Sequence, residues 1–166
     1  LLQSMLKENP QQISDYIEEL IGHAKQIRPV ISCKNQTLNI LLNGKLNAAK
    51  AKGIQIELDR CDAPEKLPLS DPELCSLILN ILDNAINAAS VSCKPFIKLD
   101  FHCKGQHFVF SCENSMPKQI EQKKAPTPEH GYGLKIIRQI MKHFGDNMVS
   151  VEQNGSIYRI TVVIPL

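Results

Sequence analysis

Apolar residues recur at helical spacing near the start of the chain, where Ile13, Tyr16, Ile17, Leu20, Ile21, Ala24 and Ile27 lie between Pro10 and Pro29. Residues 1 to 8 read as the last turns of a preceding helix stopped by Pro10, so this stretch predicts two antiparallel helices joined by a short turn. The exposed apolar stripe of such a hairpin wants a partner, most simply the same hairpin of a second chain. A further helix is expected from about Cys33 to Lys52, with Leu38, Leu41, Leu42, Leu46 and Ala49 inward and Gly53 as its stop. "IQIEL" then alternates as a strand does. Ser70 and Glu73 form a capping box with Pro72 in the first turn, opening a helix to about Val91. Its inward arc is Leu74, Leu77, Ile78, Ile81, Leu82, Ala85, Ile86 and Ala89.

"FIKLDFHCKGQHFVFSCEN" alternates on both sides of Lys104, Gly105 and Gln106, which predicts a hairpin. Residues 115 to 130 are polar, charged and proline-rich without a period, the signature of a long loop or lid. A helix follows from about Gly133 to Phe144, with Leu134, Ile137, Ile140, Met141 and Phe144 inward. A second hairpin closes the chain, with Asn154 and Gly155 as its turn. Strands and helices in this mixed order predict an α+β fold, helices packed on one face of a mostly antiparallel sheet.

The 166 residues are 43% apolar, enough for one domain with a sizeable core. A net charge of +2 with interspersed signs offers no basic face for nucleic acid or anionic membrane. No apolar run approaches the ~20 residues that span a bilayer. The six cysteines are scattered without metal-ligand spacing, as expected of free thiols in a reducing compartment. The chain opens on Leu1 in what reads as mid-helix, so a fragment of a longer protein is expected.

Chemistry must therefore come from a local constellation, and two segments supply candidates. Asn80, Asn84 and Asn87 are poor helix formers placed on one face at the edge of the apolar arc. Amides on such a rim suit a hard cation and phosphate oxygens. In "EHGYGLKII" two glycines stand at a loop-to-helix junction, permitting positive φ or close approach by a ligand. The helix they open offers unpaired N–H groups and a positive dipole end, with Lys135 adding a cation in the first turn.

An asparagine helix, a hairpin ending in "CEN", a polar loop and a glycine-opened helix, in that order, resemble the GHKL (Bergerat-fold) ATP-binding domain of sensor histidine kinases. Within it, "HGYGLK" is similar to the motif of the quorum-sensor-type subfamily. The resemblance covers residues 33 to 166 and implies a two-layer α/β sandwich. Residues 1 to 32 then resemble the end of that family's dimerisation and phosphotransfer hairpin. "NILDNA" matches the N box, which implies Asn84 as the Mg2+ ligand and Asn80 and Asn87 as phosphate-side contacts of ATP. "HGYGLK" implies that His130, Gly131, Tyr132, Gly133, Leu134 and Lys135 surround the nucleotide, with Gly131, Gly133 and the Leu134 backbone cradling phosphate. "SCENSM" takes the place of the first glycine box, with Asn114 where the family has Asp, as a neutral acceptor for the adenine amino group.

Hydrolytic relatives carry Glu at the position of Asn80, and an amide cannot activate water as a carboxylate does. The resemblance therefore implies a histidine kinase that presents the ATP γ-phosphate to a histidine expected just upstream of Leu1. It implies a homodimer through the hairpin, a response regulator as partner, and the cytoplasmic domain of a membrane-anchored protein. A degenerate GHKL regulatory module is the alternative that the altered first glycine box favours. An anti-sigma-type serine kinase is a second, against which the hairpin argues.

Overall fold

The structure, a computed structural model, describes residues 29–117 and 132–166. The expected hairpin through residue 28 and the part of the expected 115–130 loop from residue 118 lie outside the described residues, while Ser115, its expected first residue, still pairs in the sheet with Ile157. Helix α1, Gln36–Ala51, starts where the Asn35 side chain accepts from the Leu38 amide at 2.8 Å. This cap sets the start three residues later than the periodicity predicts, because Cys33 and Lys34 precede it. Lys52 closes the helix and Gly53 follows at φ 76°, as its place after the apolar run predicts.

Strand β1, Gln55–Cys61, leads to α2, Asp71–Ser90, and α2 returns the chain to β2, Phe96–Lys104, parallel to β1. Both halves of the Ser70–Glu73 capping box are made. Strand β3, His107–Ser115, pairs antiparallel with β2. Helix α3, Tyr132–Met141, passes through a 3₁₀ turn, Lys142–Phe144, into the hairpin of β4, Val149–Asn154, and β5, Ile157–Pro165. The sheet order is β1-β2-β3-β5-β4, with only the β1–β2 pair parallel. The fold is α+β, with the helices on one face, as predicted.

Both hairpins turn through two residues led by a glycine at φ 59°, Gly105–Gln106 and Gly155–Ser156. This corrects the Asn154–Gly155 turn: Asn154 still pairs with Ile157 as a strand residue. Glycine leads because only the first central position needs positive φ there.

Alternation along β2, β3 and β5 sends Ile97, Leu99, Phe101, Phe108, Phe110, Cys112, Ile160, Val162 and Ile164 to the helix-covered face. Phe101 stacks on Phe110 with centroids 5.7 Å apart and meets Phe108 edge-on at 6.2 Å. Each such buried ring contributes roughly 1.5–3 kcal/mol of hydrophobic stabilisation. The predicted inward residues of α1 and α2 are all buried, and those of α3 are buried or packed against the core. On the other face, Glu57, Lys98, Glu113, Arg159 and Glu152 stand in register across all five strands with alternating sign. Arg159 pairs with Glu113 and, at 3.7 Å, with Glu152, while Lys98 reaches Asp59 at 3.0 Å. The half-exposed pairs of Arg159 are worth about 0.2–1 kcal/mol each.

Candidate functional site

Helix α2 lies between α1 and α3 and over β3, so its apolar arc is consumed by packing and its rim is left at the α2–α3 seam. Asn80 is half-buried on that rim, and its Nδ2 donates to the Ser76 carbonyl one turn back at 2.6 Å. The amide oxygen is thereby turned the other way, toward α3. Asn84 and Asn87 are exposed, and their amides bond no other described residue. Asp83, the carboxylate beside Asn84 in the chain, is held at 2.6 Å by Lys45 of α1.

The first turn of α3 is pressed against this rim. A Cβ placed on Gly133 would stand 2.8 Å from Asn84 Nδ2, 3.3 Å from Asn80 Oδ1 and 3.4 Å from Asn84 Oδ1. Gly133 is buried, and its φ is not positive. What glycine provides here is therefore close approach to two asparagine side chains, and not a special backbone conformation. Tyr132 is exposed, and the Lys135 ammonium lies 5.6 Å from its ring centroid, a cation–π contact at the mouth of the seam. Leu134 packs partly on the core, so only its backbone is free to face a ligand. His130 and Gly131 lie outside the described residues.

Asn114 takes the helix-covered face of β3, as the alternation through Phe108, Phe110 and Cys112 predicts, and is 2% exposed. It stands across from Ile97 on β2 and Tyr158 on β5. Its Nδ2 donates to the Ser115 carbonyl at 2.9 Å. Ser115, unremarked in the sequence, is buried and ties this end of β3 to its neighbours: its hydroxyl accepts from the Phe96 amide at 3.0 Å and meets the Ser92 hydroxyl at 2.8 Å. Asn114 thus sits toward the C-terminal end of α2. About 9 Å of helix separate Asn84 from Ser90, the last residue of α2.

The structure thus brings Asn80, Asn84 and Gly133 into one contact, keeps Asn87 one turn along the same rim, and sets Asn114 on the neighbouring strand. Among the described residues no group of three or more His, Cys, Asp or Glu could hold a metal ion. A hard cation here would take amide oxygen from Asn84 and complete its shell from a ligand and water. All six cysteines are free. Burial pushes the Cys75 thiol up to about 11 and the Cys112 thiol up to about 12, and raises Cys33 and Cys61 as well, so these four stay protonated near neutrality. No helix among the described residues is long and apolar enough to cross a membrane.

A family model described as the GHKL domain matches residues 70–165. Among solved structures, the nucleotide-free catalytic domain of histidine kinase ThkA superposes with a TM-score of 0.59 at 20% identity, over 79% of this chain and 90% of that one. Acinetobacter baumannii histidine kinase AdeS gives 0.57 at 16% identity, over 90% and 73%. The mycobacterial sensor histidine kinase MprB gives 0.55 at 19% identity, over 75% and 93%. No curated protein sequence matches. The chain belongs to the GHKL domain family and has the fold of histidine kinase catalytic domains.

Proposed function

We propose that this chain binds Mg-ATP along the α2–α3 seam and presents the γ-phosphate to a histidine, as the ATP-binding catalytic part of a sensor histidine kinase. The observation that carries the reading is the approach of Gly133 to Asn80 and Asn84, which sets the first turn of α3 against the amide ends of two asparagines. Backbone N–H groups of that turn and Lys135 would face phosphate oxygens. Asn84 would hold Mg2+ through its amide oxygen, and the ion when bound neutralises phosphate charge. Asn80, turned outward by its bond to Ser76, orients the triphosphate and cannot remove a proton from water. With Asp83 engaged by Lys45, neither residue serves as a general base. Catalysis is then by positioning and charge neutralisation, which suits transfer to an incoming nucleophile better than hydrolysis.

The same reading makes residues 1 to 32 a dimerisation hairpin and a response regulator the downstream partner. It places the chain in the cytoplasmic part of a membrane-anchored sensor, and "HGYGLK" supports the quorum-sensor-type subfamily. Asn114 in place of a carboxylate supports a second reading, a module that binds nucleotide without passing it on. The experiment is titration of ATP with and without Mg2+ into the chain and its Asn84→Ala variant. Magnesium-dependent binding lost in the variant is expected; identical isotherms would remove the site. Labelling of a histidine in the whole kinase by γ-phosphate then separates transfer from binding alone.

A further inference from the structure

Lys45 reaches from α1 to the asparagine rim of α2, where its ammonium lies 2.6 Å from Asp83 Oδ1. Its side chain is 13% exposed and that of Asp83 33%. A lysine is seldom so covered without a carboxylate to compensate it. Asp83 follows Asn80 by three positions and precedes Asn87 by four, so it is a surface neighbour of both, with about 5–6 Å between Cβ atoms. It is turned about 100° around the helix from Asn84, which meets Gly133, and its carboxylate is held by α1. Asp83 therefore shares no ligand with Asn84, yet its charge stands beside the rim. The other carboxylates of α2, Asp71 and Glu73, lie in its first turn. The ion pairs of Lys98 and Arg159 lie on the far face of the sheet.

We infer that Lys45 is an electrostatic positioning residue of the phosphate site: by neutralising Asp83 it keeps the rim free of net negative charge, so that a polyanion can settle there. This rests on the nucleotide reading of the α2–α3 seam and adds a residue of α1 to it. Neither side chain touches the ligand, and the effect is carried by the field. A lone carboxylate about 8–10 Å from the phosphates of a doubly negative Mg-ATP corresponds to a loss of affinity of roughly two- to fourfold at low salt. Removing the Asp83 charge instead leaves the Lys45 ammonium without that carboxylate, and its attraction acts on the phosphates. The two single substitutions thus act with opposite sign. A pair that only fastened α1 to α2 would act with the same sign in both, because either change breaks the bond.

The test is calorimetric titration of Mg-ATP and Mg-ADP into the native chain, Lys45→Met, Asp83→Asn and the double variant at low salt, with thermal melts to establish the folded fraction. Lys45→Met should weaken Mg-ATP roughly two- to fourfold, Asp83→Asn should strengthen it about twofold, and the double variant should return to within about 1.5-fold of the native chain. The Lys45→Met effect should be smaller for Mg-ADP, which carries less charge, and should shrink when salt is raised to about 0.3 M. Weakening by both single variants would overturn the inference while leaving the nucleotide site intact, and so would equal effects on the two nucleotides or no effect at all. Should Lys45→Met melt below the titration temperature, the sign of the Asp83→Asn effect decides alone. Binding of neither nucleotide by the native chain would remove the site and the inference together.

Discussion

Asn35, Asn39, Asn43 and Asn47 mark α1 at every fourth position, much as Asn80, Asn84 and Asn87 mark α2. On α1 every amide is engaged within the chain. Asn35 caps the helix and donates to the Glu65 carbonyl at 3.1 Å. Asn39 accepts from the Cys33 amide at 3.3 Å, and Asn47 donates to the Asn43 carbonyl at 2.8 Å. Asn43, itself buried, accepts from the Val30 and Ile31 amides at 2.7 and 3.1 Å and donates to the Ile31 carbonyl at 2.9 Å. That row binds the incoming strand of chain to the helix. On α2, among the described residues, only the Asn80 nitrogen is engaged. Residue type and spacing are nearly the same in the two rows, so what separates a structural row from a candidate site is whether the fold saturates it.

The comparison breaks most visibly at Asn43. Asn43→Ala leaves the buried amide and carbonyl of Ile31 and the part-buried amide of Val30 unpaired, and should cost about 3 kcal/mol of stability in urea unfolding. Nucleotide binding by the protein that remains folded should change little. Asn84→Ala should do the reverse: at an exposed helical position stability shifts by no more than about 0.5 kcal/mol, while Mg-ATP affinity falls at least about tenfold. If Asn84→Ala unfolds the protein and Asn43→Ala abolishes binding without destabilising it, the assignment of the two rows is inverted.

This contrast could not be read from the sequence, because saturation depends on partners distant along the chain. The residues that Asn43 holds are 12 and 13 positions away. The Lys45–Asp83 pair spans 38. What periodicity and local chemistry govern was legible: the α2 capping box, the buried arcs, and the helix-facing position of Asn114, which follows from strict alternation along β3. Gly133 was legible as a candidate but not its reason, since positive φ and close approach leave the same glycine in a sequence. Only the gap to Asn84, together with a φ that is not positive, chooses between them.

That gap sharpens the comparison further. Gly133→Ala would push a methyl group into Asn84 Nδ2, the far end of a side chain that bonds no other described residue and can swing aside. The stability cost should stay below about 1 kcal/mol. Asn84 is then displaced from its place beside the α3 N-terminus, and Mg-ATP affinity should fall about three- to tenfold. A double variant with Asn84→Ala should show little additional loss, because both changes act through one side chain. Full additivity of the two losses would mean that Gly133 contributes through backbone contacts of its own.

The smallest effect expected comes from the start of α2, well away from the asparagine rim. The Ser70 hydroxyl and its amide both bond the Glu73 carboxylate, at 2.6 and 2.9 Å, and these bonds hold its pKa below the ordinary 4.5. Because the folded-state value lies below the unfolded one, the contribution is complete above about pH 4.5. It fades as the pH falls through the folded value. Ser70→Ala should cost about 1 kcal/mol near neutrality by loss of the cap. The gap between native and variant should narrow by a fraction of that below pH 4.5, since protonated Glu73 no longer strengthens the native box. Mg-ATP affinity of the folded variant should be unchanged at neutral pH, because the rim is set by packing of α2 between its neighbours and not by its first turn. A constant stability gap from pH 7 to pH 3 would show that the carboxylate takes no part in the cap, and a loss of affinity would show that the rim depends on the whole helix.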